Sequence, residues 1–152
     1  MKDLEYNPND FENILTKISA IIDWYRGLPT HIKANEKNIN QLTRARRKLA
    51  TYRVDLSAHV AEFMKFKEVA YFDRKKTNAE KYAEHRENYN QGDAKEKAFL
   101  ETEKERAREI QYEAAYKKAA LIHESTGDVL NAMAGDINHL SYEYKMAGVV
   151  AE

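Results

Sequence analysis

Apolar residues recur at helical spacing along most of this chain, and the places where they stop divide it into three segments. In the first, Phe11, Ile14, Leu15, Ile18, Ile22 and Tyr25 fall three or four residues apart, the signature of one buried helix face. Asn9 or Asp10 is placed to cap its start, just after Pro8. Gly27-Leu28-Pro29 should end it, because Gly tolerates left-handed geometry and Pro cannot extend the hydrogen-bond ladder.

Thr30 is the expected cap of a second helix, and no Gly or Pro occurs from Lys33 to Asn90. Here the apolar pattern repeats in sevens. Leu42, Leu49, Leu56, Phe63 and Ala70 share one heptad position, and Ala45, Tyr52, His59 and Phe66 share the position three further on. Such a seam keeps one stripe against a partner helix. It fades after Ala70, and residues 73–108 form an expected polar hairpin tip with i,i+3 charge pairs such as Glu101 with Lys104. Asn90-Gln91-Gly92-Asp93 is the natural turn, with Asp93 as the cap of the next helix.

The last segment carries Tyr112, Ala115, Ala119, Ile122, Val129, Met133, Ile137, Leu140 and Tyr144 in steps compatible with one helix face. Ser125-Thr126-Gly127-Asp128 should kink or briefly break it, and the tail after Gly148 should fray. The predicted fold is a single all-α domain over residues 1–152, with a short N-terminal helix and a long antiparallel, coiled-coil-like helical hairpin. Its expected core and assembly residues are Ile18, Ile22, Leu42, Leu49, Leu56, Phe63, Met133, Ile137, Leu140 and Tyr144. A two-armed hairpin leaves Ile18, Ile22 and Leu140 poorly covered, so a homo-oligomer is expected.

Composition narrows the class further. With 152 residues, 33% charged, 5 Gly and 2 Pro, the chain suits one domain of long helices. The 10 Tyr and 5 Phe must find packing, which argues against disorder. No Cys is present, which excludes thiol chemistry and fits a reducing compartment. The polar, acidic start does not resemble a signal peptide, and no apolar run approaches the ~20 residues of a membrane span. A cytoplasmic, intracellular location is expected.

Formal net charge is zero but unevenly spread. From His31 to Lys76 there are 12 Lys and Arg against 5 Asp and Glu, whereas 77–152 carry 10 against 15. A basic arm between acidic ones either seeks an anionic partner or is neutralised within the fold. Its densest run is Arg44-Ala45-Arg46-Arg47-Lys48, with Lys33, Lys37 and Arg53 nearby and Tyr52 as an aromatic able to stack on a base. Cations interleaved with aromatics suit single-strand binding without sequence readout, while the bland alternative is a solvated coiled-coil face.

Catalytic signatures are lacking: no Gly-rich phosphate loop, nucleophile elbow or His-Glu-x-x-His motif occurs, and no enzyme or cofactor is expected. Metal chemistry has two thin candidates. Asp136-x-x-His139 is a loose, single copy of the di-iron bundle motif. Hairpin geometry also sets His59, Asp55 and Glu62 roughly opposite His123 and Glu124, although a seam His is more often a packing residue.

Three stretches resemble the recombination mediators of T4-type phages, small helical oligomers that load recombinase onto single-stranded DNA. They are Ile22-Asp23-Trp24-Tyr25 with His31-Ile32-Lys33; Arg44 to Ala50 followed by Tyr52-Arg53-Val54-Asp55; and Gln111-Tyr112 with Val129 to Met133, Ile137 and Ala147-Gly148. The resemblance spans about residues 22–148 as scattered positions. It implies a homo-oligomer whose partners are single-stranded DNA and a recombinase or single-strand-binding protein. Where that family has a basic residue in the last helix, this chain reads Ala134-Gly135-Asp136. The alternative from another class is a non-enzymatic structural or protein-binding coiled coil, such as a virion assembly factor or an inhibitor of a host system.

Overall fold

The computed structural model describes residues 8–150, with side chains described from 9 to 149. Four helices cover most of this range: α1 (Pro8–Arg26), α2 (Glu36–Arg86), α3 (Gln91–Glu101) and α4 (Glu103–Val150). No strand occurs among the described residues, so the fold is all-α, and α2 and α4 pack against each other as the expected hairpin arms. The chain divides into two compact units: residues 1–58 with 121–152, and residues 59–120.

In the first unit, α1 lies with the first part of α2 and the last part of α4. Of the heptad positions predicted to face inward in this unit, Leu42, Leu49 and Leu56 are buried and Ala45 and Tyr52 half-buried; Met133 and Leu140 from α4 and Phe11 and Ile18 from α1 are buried with them. Thr126 completes the α4 seam. Its hydroxyl donates to the Ile122 carbonyl at 2.6 Å, which allows a polar side chain to be fully buried without an unmade hydrogen bond. Two links fix the antiparallel register, Arg46 Nε to the Leu130 carbonyl at 3.1 Å and Arg53 Nε to the His123 carbonyl at 2.9 Å.

The second unit is built from the rest of α2, α3 and the start of α4. Phe63, Phe66, Ala70, Ala94, Ala98, Thr102 and Ala119 are buried in it. Its antiparallel pairs are Phe66 with Tyr112, ring centroids 5.3 Å apart, Lys67 over the Tyr116 ring at 4.9 Å, and Arg74 with Glu109. The expected polar tip therefore carries a small core of its own, made of Ala and Thr rather than large apolar residues.

Several expected boundaries move. The cap of α2 is Asn35, whose Oδ1 accepts from the Asn38 amide at 2.8 Å, and not Thr30. Asn90 rather than Asp93 caps α3, accepting from the Asp93 amide at 2.8 Å, while its side-chain amide donates to the Asp93 carboxylate at 2.9 Å. A break at Thr102 separates α3 from α4, which the mixed charges of that stretch conceal. Helix α1 begins at Pro8, where the missing N–H costs nothing, so Asn9 and Asp10 lie inside it. No residue has a positive φ among those described, so Gly27 ends α1 without the left-handed geometry expected of it.

Helix α4 runs through Gly127 without interruption, so the expected break there is absent. Gly127 is small for a packing reason. A Cβ at that position would lie 2.7 Å from Arg53 Nη2 and 3.0 Å from Arg53 Cζ. Ala134, seven residues on, bears the same relation to Leu130 as Gly127 does to His123. Each small residue sits four after the carbonyl that an α2 arginine reaches. The tail expected to fray continues as helix to Val150, and residues 151 and 152 lie outside the described range.

The residues expected to need a second subunit's cover find much of it within the chain. Ile18 and Leu140 are buried within the chain itself, and Ile22 and Ile137 are half-buried. Tyr144, expected in the core, is exposed, along with Val54, Leu121, Tyr142, Met146 and Val149 of the same unit.

Candidate nucleic-acid interface

The basic arm separates into two sets of cations once α2 is folded. Arg46 and Arg53 are half-buried, and each donates to a carbonyl of α4. Tyr52 is also half-buried, with the Lys17 ammonium of α1 lying 5.6 Å from its ring centroid. These three side chains, read from the sequence as binding residues, hold the first unit together.

Lys33, Lys37, Arg44, Arg47 and Lys48 are at least partly exposed, and among the described residues none of them has an ion-pair partner. Lys33 lies in the loop before α2, where its carbonyl accepts from the Asn38 side-chain amide at 2.8 Å. Lys37, Arg44 and Lys48, with Gln41 among them, fall at steps of three and four and so share one face of α2. Arg47 lies beside that face.

That face borders an open groove of about 370 Å³ between α1 and α2, lined by Ala20, Ile21 and Trp24 and by Gln41, Arg44, Ala45 and Lys48. Trp24 is 40% exposed there. From the sequence, Tyr52 is the expected stacking aromatic. The place of Trp24 beside Arg44 and Lys48 depends on how α1 docks, which no local pattern reveals.

A larger cavity of about 520 Å³ lies where the end of α1 and the following loop meet α4. Four of its polar groups pair with one another. The Tyr25 hydroxyl donates to Asp136, and His139 Nε2 lies 3.0 Å from Glu143 Oε1. Burial first, then the hydrogen bond and charge of Asp136, push the Tyr25 hydroxyl up to about 12. Asp136 thus ties α4 to α1.

No group of three or more His, Asp or Glu able to hold a metal occurs among the described residues. His59 Nδ1 lies 4.0 Å from Glu62 on its own helix. His123 has its ring pKa lowered, by burial first and the nearby Arg53 guanidinium second. Among the described residues no helix is long and apolar enough to cross a membrane. Comparison with known protein families, curated proteins and solved structures returns no match.

Proposed function

We propose that this chain binds single-stranded DNA along the exposed basic face of α2, as a recombination mediator of the T4-type phage kind. The observation that carries the reading is the set of five solvent-accessible cations, Lys33, Lys37, Arg44, Arg47 and Lys48, none with an ion-pair partner among the described residues. Unspent cations on one helix and the loop before it favour a polyanion held by its phosphates, with little sequence preference. One subunit offers few such contacts, so useful affinity needs several basic faces on one strand, supplied by a homo-oligomer. The exposed Tyr142, Met146 and Val149 near the end of α4 are available for that assembly. In this role the protein works in the cytoplasm of the host cell and hands the strand to a recombinase or single-strand-binding protein. Anisotropy of a labelled oligonucleotide tests the reading, with tighter binding of single strand than duplex expected at low salt. Light scattering should return a multiple of 17.7 kDa.

A second reading, a protein-binding coiled coil, is favoured by a different observation. Val54, Leu121, Tyr142 and Val149 are each more than 60% exposed, and a partner helix laid over them would take that apolar area out of water. An oligomer that ignores DNA at low salt would select this reading.

A further inference from the structure

We infer that the groove between α1 and α2 holds one base of the bound strand stacked on Trp24, with the phosphates flanking that base on Arg44 and Lys48. This rests on the proposed DNA-binding role and adds to it a base-contacting subsite on a helix outside the basic arm. Trp24 is 40% exposed and lines the groove, and every base has a π-face able to stack on an indole, so stacking there is sequence-tolerant. Arg44 and Lys48 stand one turn apart on the opposite wall, and no carboxylate competes for either among the described residues. Ala20 and Ala45 keep the walls low, and Ile21 supplies an apolar side. Gln41, on the same wall as the cations, offers an amide to a base edge. The volume of about 370 Å³ falls within the ~300–1,000 Å³ of small-ligand sites. Further along the same α1–α2 seam, Lys17 over Tyr52 adds another cation for the next stretch of backbone.

Because the chain has a single Trp, Trp24 reports on its own occupancy. The experiment titrates the full-length protein with oligo(dT) and with an abasic oligonucleotide of equal length, reading Trp fluorescence and the anisotropy of a labelled strand in parallel. Oligo(dT) should quench Trp24 and the abasic strand should not. Trp24→Leu should weaken oligo(dT) binding on the order of 10- to 100-fold and leave abasic binding unchanged. Ala20→Leu, a helix-compatible change at an exposed position, should fill the groove and produce the same selective loss if Trp24→Leu misfolds. Salt-sensitive binding without quenching, and with both variants unaffected, would overturn the Trp24 subsite and leave the DNA-binding role standing. Absence of binding to any strand at low salt would overturn both. Tighter binding of oligo(rU) than of oligo(dT) would overturn the assignment to DNA.

Discussion

Substituting Gly127 by Ala sets two known effects against each other at one atom. Inside a helix, Ala in place of Gly is worth about 1 kcal/mol of stability. Here the new Cβ would stand 2.7 Å from Arg53 Nη2 and 3.0 Å from its Cζ. The guanidinium can swing clear, but only by giving up its 2.9 Å bond to the His123 carbonyl, and hydrogen bonds to charged groups are worth about 1.5–3 kcal/mol. The difference predicts that Gly127→Ala destabilises the protein by about 0.5–2 kcal/mol. In an Arg53→Ala background the clash and the bond are both gone, so the same substitution should stabilise by about 1 kcal/mol. Gly135→Ala, with nothing within 4 Å of the added Cβ, should stabilise in either background and serves as the control. Urea unfolding of the four members of the cycle measures the sign change. If Gly127→Ala stabilises equally with and without Arg53, the packing of Arg53 on Gly127 does not set the fit between α2 and α4.

Leu49→Ala, at a position with no exposed surface, should cost about 2–5 kcal/mol in the same assay, whereas truncating the exposed Val54 should cost well under 1 kcal/mol. Alkaline titration followed by tyrosinate absorbance should show Tyr25 ionising near 12 rather than near 10. Since this folded pKa is raised, its stabilising contribution is full below pH 10 and fades as pH rises towards 12, and Tyr25→Phe should remove that dependence. For His123 the folded pKa is lowered, so the neutral ring suits the fold. Stability should be flat above the unfolded value near 6.5 and fall as pH drops below it, less steeply in Arg53→Ala.

Much of the fold was legible because a seven-residue repeat needs no tertiary knowledge. Leu42, Leu49, Leu56, Phe63 and Ala70 are all buried, as the repeat requires. The tip was harder, since Ala94, Ala98 and Thr102 form its interior with small residues that carry no periodic apolar signal. Gly127 reads as a breaker in sequence because its use lies in an arginine 74 positions away in the chain. The proposed binding face was half legible. Counting charges located the basic arm, but Arg46 and Arg53 differ from Arg44 and Arg47 only in which way α2 turns them. Trp24 reached the groove from another helix altogether.

That division within the basic arm is also where the proposed function is most exposed to test. Affinity for oligo(dT) should be measured across a salt series for the wild type, for Arg44→Ala/Arg47→Ala/Lys48→Ala and for Arg46→Ala. Each phosphate contact on a single strand contributes about 0.7 to the slope of log affinity against log salt, so losing three exposed cations should flatten it by about 2. Helicity should survive, because Ala is a good helix former. Arg46→Ala, which removes the link to the Leu130 carbonyl, should lower stability and leave the slope nearly unchanged. A slope untouched by the triple substitution, or no binding by the wild type at low salt, would contradict the account.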